Sequence, residues 1–161
     1  MSAVAWLKSE LERQGIPYKE LHHFEAYTAQ SVAEREHVPA HRVAKVVVVM
    51  ADGRPVELIL PANRCVMLDR VRGLLGAGDV RLATEEEMAR YFNDCEVGAI
   101  PPFRHWGNVD VLMDASMKVD GNILFQAGTH CDAIHVAFED WFRMVNPRVE
   151  HFSEPALAMM R

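Results

Sequence analysis

The alternation of apolar and polar positions along the chain predicts short strands interleaved with short helices. The longest β-branched run, at positions 43–50, is followed by Asp52-Gly53 and by a second apolar run at 56–60. A continuous apolar run of this length is typical of a strand buried on both faces. Two such runs joined through Asp-Gly indicate a hairpin. We therefore predict a hairpin whose first strand lies in the middle of a sheet.

Helical spacing of apolar residues predicts five helices, and the polar residues before two of them suggest how they begin. Thr28 can cap the second helix, and Thr84 with Glu87 forms a capping box at the start of the fourth. Glu86 and Glu87 are therefore interpreted as a solvated helix start rather than a catalytic carboxylate pair. The predicted ranges are 3–14, 29–36, 68–75, 85–92 and 138–145.

Shorter strand-like segments fill most of the remaining chain. An edge strand is predicted at 18–24, and the turn Asp120-Gly121-Asn122 predicts that 123–126 pairs with the strand before it. The Gly98 to Phe103 segment contains two adjacent prolines, so we expect a stiff, shaped loop. From Arg148 onwards we expect one short extended piece and a loose tail. The other predicted strands are 80–83, 109–113 and 133–137.

This order of elements indicates a mixed α/β or α+β protein. The 161 residues fit one domain, because no linker or low-complexity stretch divides them. We expect a core at about 28–145, a helical N-terminal extension at 1–27 and a loose C-terminal tail at 148–161.

Composition narrows the possible functions. The net charge of −6 disfavours a protein that mainly coats nucleic acid, and no DNA partner is expected. Arginine and lysine nevertheless concentrate in the middle of the sequence, which permits a local site for an anion. The charged residues in the first helix exclude the apolar core of a signal peptide, and no membrane span is expected. The three cysteines, Cys65, Cys95 and Cys131, are interpreted as reduced thiols of a cytoplasmic protein.

Lys45 is the one charged residue inside the valine-rich run. It could lie at the start of the strand and extend its ammonium group to water. Alternatively, it could point into a cleft where an anionic ligand offsets the cost of desolvation. The strand pattern alone leaves both interpretations open.

Most familiar catalytic patterns are missing from the sequence. There is no phosphate loop, GxGxxG, GxSxG or HExxH motif. His37 and His41 are separated by Pro39, which interrupts the helical face that would direct both rings to one metal ion. His130, Cys131, Asp132 and His135 are dense, but Asp132 and His135 face opposite ways in a strand. His22 and His23 diverge for the same reason. We therefore expect no metal site and no cofactor.

Three segments together resemble a known family. They are Ala44-Lys45-Val46, the loop Gly98-Ala99-Ile100-Pro101-Pro102-Phe103, and the turn Gly128-Thr129-His130 followed by a strand around Ile134. In this order and at these spacings the chain resembles the YbaK/ProX family. These proteins are free-standing relatives of the editing domain of bacterial prolyl-tRNA synthetases. The resemblance covers roughly residues 28–145.

The resemblance implies an α+β fold around a mixed, partly barrel-like sheet flanked by short helices. It also implies an enzyme that hydrolyses the ester of mischarged aminoacyl-tRNA and so supports translation fidelity. Lys45 would contact the phosphate or carbonyl at the acceptor end, and free amides of the two loops would act like an oxyanion hole. The nucleophile would be water or a substrate hydroxyl. The residues implied as catalytic are Lys45, Gly98, Gly128 and His130, and those implied as substrate-binding are Thr28, Val46, Ala99, Ile100, Pro101, Pro102, Phe103 and Thr129.

Two residues depart from the family pattern. Val46 stands where several members have a small polar residue, so a substrate hydrogen bond there is lost or replaced. Arg104 stands where glycine is common, and it would add an anion contact or narrow the opening. These departures motivate a rival hypothesis, a module that binds a nucleotide or RNA acceptor end without turnover. A third alternative is a metal hydrolase centred on His130 and His135. The expected partners are the acceptor end of mischarged tRNA and a candidate aminoacyl-tRNA synthetase.

Overall fold

The computed structural model describes residues 4–23 and 25–156 of the chain, and these ranges form an α+β structure. The described helices are α1 (Ala5–Arg13), α2 (Ala29–Glu36), α3 (Leu68–Leu75), α4 (Glu85–Tyr91) and α5 (Phe138–Val145). The described strands are β1 (Tyr18–His22), β2 (Ala44–Ala51), β3 (Arg54–Pro61), β4 (Arg64–Val66), β5 (Val80–Leu82), β6 (Asp110–Asp114), β7 (Asn122–Gln126), β8 (Asp132–Ala137), β9 (Arg148–Glu150) and β10 (Ser153–Pro155).

The predicted hairpin is the centre of a five-stranded sheet with the order β5-β2-β3-β6-β9. Strands β2 and β3 pair antiparallel, and Asp52 and Gly53 make the turn with φ angles of 49° and 80°. Positive φ at both positions suits the right-handed twist of the flanking strands. Strand β2 lies inside this sheet, as predicted, although the middle position is taken by β3. Strand β5 pairs only with residues 49–51 of β2. Lys45 therefore lies in the half of β2 that pairs with β3 alone.

The expected pairing of the segments on either side of Asp120-Gly121-Asn122 is wrong. Strand β6 runs parallel to β3 and to β9 in the large sheet. Strand β7 instead pairs antiparallel with β8, which also pairs with β1. A turn signal shows where the chain reverses but does not specify the partner of the next strand. Here the chain leaves the large sheet at the turn and starts a second sheet.

The three-stranded sheet β1-β8-β7 joins the large sheet through a single parallel bridge between Val43 and Leu124. Strand β1 lies at the edge of the small sheet, as its weak alternation predicted. Parallel and antiparallel pairs occur together in the large sheet. The predicted α+β architecture with a mixed sheet and short helices is confirmed.

The largest apolar core lies between the sheets and the two terminal helices. Leu7 and Leu11 of α1 and Trp141 of α5 are fully buried in this core. The periodicity of α5 predicted its bounds and an inward face of Phe138, Trp141, Phe142 and Val145. Three of these residues are buried, and Phe142 is half-buried. In the part of the chain that the structure describes, no helix has the length and apolar character needed to span a membrane.

The end of the chain is more ordered than expected up to residue 155. Instead of one extended piece, β9 pairs with β6 and β10 pairs antiparallel with β4. Phe152 between these strands is fully buried, and its amide donates to Asp114 Oδ1 at 2.7 Å. The last residues of the predicted tail, 157–161, lie outside the described ranges, as do residue 3 of the first helix and residue 24 of the first strand. The division into core, extension and tail stays a prediction.

Candidate functional site

A pocket of about 380 Å³ opens where the start of α2, the start of β2 and the glycine-proline loop meet. Four residues singled out from the sequence line it: Thr28, Lys45, Val46 and Gly98. The remaining lining residues are Tyr27, Ala29, Gln30, Ala62 and Gln126. No acidic side chain lines this pocket within the described ranges, so the one charged group that faces it is cationic.

Lys45 supplies that charge. Its side chain is half-buried, and its ammonium group donates a long hydrogen bond of 3.4 Å to the carbonyl of Ala62. It forms no ion pair with a carboxylate among the described residues. Burial lowers the pKa of Lys45 from its usual value, and the nearby Cys65 opposes this shift. A half-buried ammonium group without an anionic partner gains from binding an anion, which favours the second interpretation of Lys45.

The N-terminus of α2 adds to the positive potential of the pocket. Thr28 caps this helix, because its hydroxyl accepts a hydrogen bond of 3.0 Å from the Ser31 amide. The first amides of a helix have no partner within the helix, and they form the positive end of its dipole. Ala29 and Gln30, at this end of α2, line the pocket together with Lys45. Lys45 and the helix start therefore form a corner suited to phosphate or carboxylate oxygens.

Gly98 forms the opposite wall with its backbone. Its φ of 87° is a left-handed conformation that glycine adopts without strain. A Cβ atom here would meet Cε1 of His130 at 3.4 Å. Neither the Gly98 amide nor the Ile100 amide donates a hydrogen bond within the described part of the chain. The exposed Gly98 amide is thus available to a ligand in the pocket.

The turn at Gly128 is held by the protein itself. The Gly128 amide donates to the Ala99 carbonyl at 2.9 Å, and the His130 amide donates to Glu96 Oε1 at 2.7 Å. The Ala99 amide in turn donates to the Glu96 carbonyl at 3.0 Å. These amides already have partners within the chain. Their contact with a substrate stays a prediction, and this geometry does not favour it. Their hydrogen bonds fix the two loops to each other.

Gly128 and Thr129 have structural reasons for their identities. Gly128 has a φ of 95°, and a Cβ atom there would lie 2.5 Å from Cγ1 of Val4. Only glycine allows the start of α1 to pack this closely on the turn. Thr129 is 2% exposed, and its hydroxyl donates to Asp132 Oδ2 at 2.5 Å. Neither residue lines the pocket.

His130 lies next to two pocket residues, Gly98 and Tyr27, without lining the pocket itself. Its Nε2 donates to the Val97 carbonyl at 2.8 Å, while its buried Nδ1 has no hydrogen-bond partner among the described residues. Its ring lies 4.6 Å from the ring of Tyr27, which does line the pocket. His130 is therefore placed to orient Gly98 and Tyr27, and it does not itself line the cavity.

The proline segment forms part of the core rather than the pocket wall. Ala99, Ile100, Pro101, Pro102 and Phe103 are all buried. The Phe103 ring packs edge-on against Phe125 at 5.3 Å, and the Pro102 carbonyl accepts from Trp141 Nε1 at 2.9 Å. Their predicted contact with substrate is not seen in this geometry. Their burial instead gives Gly98 a rigid base.

Arg104 does not face the pocket opening. Its guanidinium group donates to the carbonyls of Val145 and Asn146 at 2.7 and 3.0 Å, at the end of α5. Cations are favoured at a helix C-terminus, where free carbonyls gather. The expectation that Arg104 narrows the opening or contacts a bound anion is therefore corrected.

Sequence reasoning missed three polar residues of the pocket: Tyr27, Gln30 and Gln126. Tyr27 is 61% exposed, and its hydroxyl donates to Glu25 at 2.6 Å. Gln126 ends a buried strand and donates to the Ala26 carbonyl at 3.0 Å. Gln126 could have been identified from the sequence, because a polar side chain at the end of an apolar strand often marks a binding site. No comparable pattern indicated Tyr27, because single exposed apolar residues are common on protein surfaces.

The histidine cluster near residue 130 separates in the structure. Asp132 contacts His22 of β1 and does not turn towards His130 or His135. His135 pairs across the sheet with Lys19, and burial lowers its pKa. The two histidines proposed for a metal hydrolase therefore face different surroundings.

Comparisons with known proteins agree with this fold. A family model described as the aminoacyl-tRNA editing domain matches residues 23–144. A proline–tRNA ligase of Nitratidesulfovibrio vulgaris is 30% identical over 108 residues, which are 65% of this chain and 19% of the ligase. The chain thus corresponds to about a fifth of that relative's length.

Solved structures share the fold at low sequence identity. The crystal structure of a hypothetical protein matches with a TM-score of 0.83 and 17% identity, covering 92% of this chain and 99% of that one. A protein described as a candidate trans-editing enzyme for prolyl tRNA synthetase matches with a TM-score of 0.77 and 17% identity, covering 92% and 94%. The family model spans most of the chain, and the resemblance seen in the three sequence segments is confirmed: the chain belongs to the aminoacyl-tRNA editing domain family.

Proposed function

We propose that this protein is a deacylase that hydrolyses the ester bond of mischarged aminoacyl-tRNA. The observation that carries the proposal is the meeting of three features in one pocket. These are the Lys45 ammonium group without an anionic partner, the N-terminus of α2 and the exposed Gly98 amide. All three attract negative charge, which is present on tRNA phosphates and develops on the carbonyl oxygen during ester hydrolysis.

Lys45 and the first amides of α2 would hold the terminal phosphate of the acceptor end. The Gly98 amide would then donate to the ester carbonyl as it becomes an oxyanion. Attack on the carbonyl carbon forms a tetrahedral intermediate, and its collapse releases the amino acid and returns the ribose hydroxyl to the tRNA. An activated ester needs mainly positioning and charge stabilisation for this step.

The pocket offers no activated side-chain nucleophile among its lining residues. The Thr28 hydroxyl is used as a helix cap, and the Tyr27 hydroxyl donates to Glu25. Water would therefore be the attacking group: its oxygen bonds to the carbonyl carbon, the ester C–O bond breaks, and a proton from the water goes to the ribose oxygen. The neighbouring ribose hydroxyl would help to position this water, since its own attack would only move the acyl group along the ribose. Lys45 acts in this proposal as an electrostatic clamp and not as the base.

The proposed substrate is the acceptor end of a mischarged tRNA, and an aminoacyl-tRNA synthetase is the candidate protein partner. The proposed location, where this substrate occurs, is the cytoplasm. The pocket wall beside Lys45 is the apolar side chain of Val46. Because Val46 offers no hydrogen bond, the amino acid accepted would be chosen by size and apolar contact at this point.

The same residue motivates the rival hypothesis, a module that binds the acceptor end without cleaving it. Val46 replaces a polar group that several relatives of this family carry, while the anion-binding corner is intact. This rival predicts saturable, salt-sensitive binding of RNA with no release of amino acid. Measuring binding and turnover on the same samples separates the two functions.

The test is release of amino acid from a panel of tRNAs charged with non-cognate residues, including alanyl- and cysteinyl-tRNA for proline and seryl- or threonyl-tRNA. We expect the wild type to cleave at least one ester and Lys45→Ala to lose about 100-fold or more in rate. Lys19→Ala, on the exposed face of β1, is the matched control and should keep full activity. No cleavage above background, or equal rates for both lysine variants, would contradict the proposal.

A further inference from the structure

A second cluster of polar side chains lies on the small sheet, among residues that do not line the pocket described above. Glu20 and His22 are two positions apart on β1, so both side chains project from the same face. Asp132 lies directly opposite His22 in the register of β1 and β8. One potential ligand atom from each of the three residues lies within 4.8 Å of the other two.

The hydrogen bonds of the cluster orient the His22 ring. Asp132 is 1% exposed, and its Oδ2 accepts from the Thr129 hydroxyl while its Oδ1 accepts from His22 Nδ1. With Nδ1 occupied as a donor, the other ring nitrogen, Nε2, carries a free lone pair when the ring is neutral. A buried carboxylate thus fixes both the orientation and the tautomer of an imidazole.

Glu20 completes the arrangement from the other side of the ring. Its Oε2 lies 3.8 Å from His22 Nε2, is inaccessible to solvent and has no hydrogen-bond partner among the described residues. Its Oε1 is used separately by Lys8, at 3.5 Å. A buried carboxylate oxygen is costly to leave unpaired, and the ring atom that faces it, His22 Nε2, offers a lone pair when the ring is neutral. A cation between the two atoms would satisfy both.

We infer that Glu20 and His22 form a binding site for a first-row divalent cation such as Zn²⁺, with Asp132 as the carboxylate that orients the histidine. Two ligands bound at about 2.1 Å in a tetrahedral site lie roughly 3.4 Å apart. The 3.8 Å separation therefore needs only a small side-chain movement. An imidazole that donates its second nitrogen to a carboxylate is the usual arrangement of a metal-binding histidine.

The remaining coordination positions would face water. The His22 side chain is 62% exposed, so the cation is reachable from solvent and would keep water ligands. Mixed nitrogen and oxygen donors suit Zn²⁺, Co²⁺ and Ni²⁺ better than Mg²⁺ or Ca²⁺. Since Lys45 and the pocket take no part, this site stands whether or not the protein deacylates tRNA.

The test is a titration of the full chain with Co²⁺, followed by absorbance, and then displacement with Zn²⁺. We expect one saturable site in the wild type and its loss in His22→Ala, which removes an exposed side chain and leaves the core unchanged. His151→Ala removes an exposed histidine elsewhere and should titrate like the wild type. Glu20→Gln should weaken binding, and Asp132→Asn should weaken it about 10- to 100-fold.

Two outcomes would overturn the inference. One is the absence of saturable Co²⁺ binding in the wild type, which would make the cluster a hydrogen-bonded group only. The other is identical titrations of His22→Ala and His151→Ala, which would assign any binding to histidines elsewhere. Circular dichroism of every variant confirms that weaker binding does not come from unfolding.

Discussion

At the scale of single residues, Glu57 is the feature that the sequence least prepared us to find. It lies on β3 between Val48 of β2 and Val111 of β6 and is fully buried. Neither carboxyl oxygen has a hydrogen-bond partner among the described residues. The nearby Phe103 amide donates its hydrogen bond to the Pro101 carbonyl at 2.9 Å. It therefore lowers the pKa of Glu57 only through its electrostatic attraction for the carboxylate.

Burial raises the pKa of Glu57 well above the value of 4.5 for a free side chain, and the opposing effects of Phe103 and Arg104 are smaller. The folded protein therefore holds this proton more tightly than the unfolded chain does. The stabilisation from the bound proton is complete below pH 4.5. It is lost as the pH rises towards the raised pKa of the folded state.

We predict that Glu57→Gln unfolds with a free energy that depends less on pH than that of the wild type. The amide cannot ionise, so its advantage over glutamate should grow between pH 5 and pH 8. Urea unfolding at these two pH values measures the difference. Glu34→Gln, at an exposed position, is the control. A wild type whose stability rises relative to Glu57→Gln over this range would contradict the prediction.

At the scale of elements, two threonine side chains cap the N-termini of helices. Thr28 starts α2 beside the pocket, and Thr84 starts α4 with Glu87 in a capping box. The Glu87 pKa is lowered to about 2, first by its hydrogen bond with Arg81 and then by the Thr84 amide. Both caps were predicted from the sequence, because a cap depends on residues within one turn of each other.

Replacing either threonine with alanine should lower the free energy of unfolding by about 1 kcal/mol. Only Thr28→Ala should also reduce deacylation. Loss of this cap would leave the first residues of α2, Ala29 and Gln30, less ordered where they line the pocket with Lys45. Urea unfolding and the tRNA assay on both variants give the comparison. Equal activity of the two variants would show that the start of α2 does not bind the substrate.

Pairings between distant elements were harder to predict than helices and caps. The bounds of α3 and α5 followed from local spacing, and so did the β2–β3 hairpin. The parallel pairing of β3 with β6 joins segments about fifty residues apart, and nothing in their apolar pattern specifies the partner. The family resemblance implied that the whole proline loop binds substrate, while the structure brings only Gly98 of that loop to the pocket.

At the scale of the whole molecule, an acidic protein carries a small cationic pocket. The net charge is −6, while the pocket combines Lys45 with a helix N-terminus and no acidic side chain among its lining residues. Long-range attraction of the proposed RNA ligand would therefore be weak, and its binding would depend on the few contacts in the pocket. The sequence indicated this asymmetry through its central basic residues but could not identify which of them reach the site.

We predict that binding of a short single-stranded acceptor-end RNA weakens with salt and that Lys45→Ala makes this dependence shallower. Each phosphate contact to single-stranded nucleic acid contributes a slope of about −0.7 in log K against log salt. Fluorescence anisotropy from 50 to 300 mM KCl measures the change. An unaltered slope in Lys45→Ala would indicate that the lysine does not contact a phosphate.

The packing of the segments at both ends of the described chain determines where this protein can be truncated. The family match covers residues 23–144, yet Leu7 and Leu11 before it and Phe152 after it are fully buried in apolar clusters. Val4 also closes over Gly128, the turn that holds the site's loops together. The region that the family model matches is therefore smaller than the region that contributes residues to the core. A fragment trimmed to residues 23–144 would expose apolar core residues to solvent. Fusions and shortened versions therefore need the segments on both sides of this range.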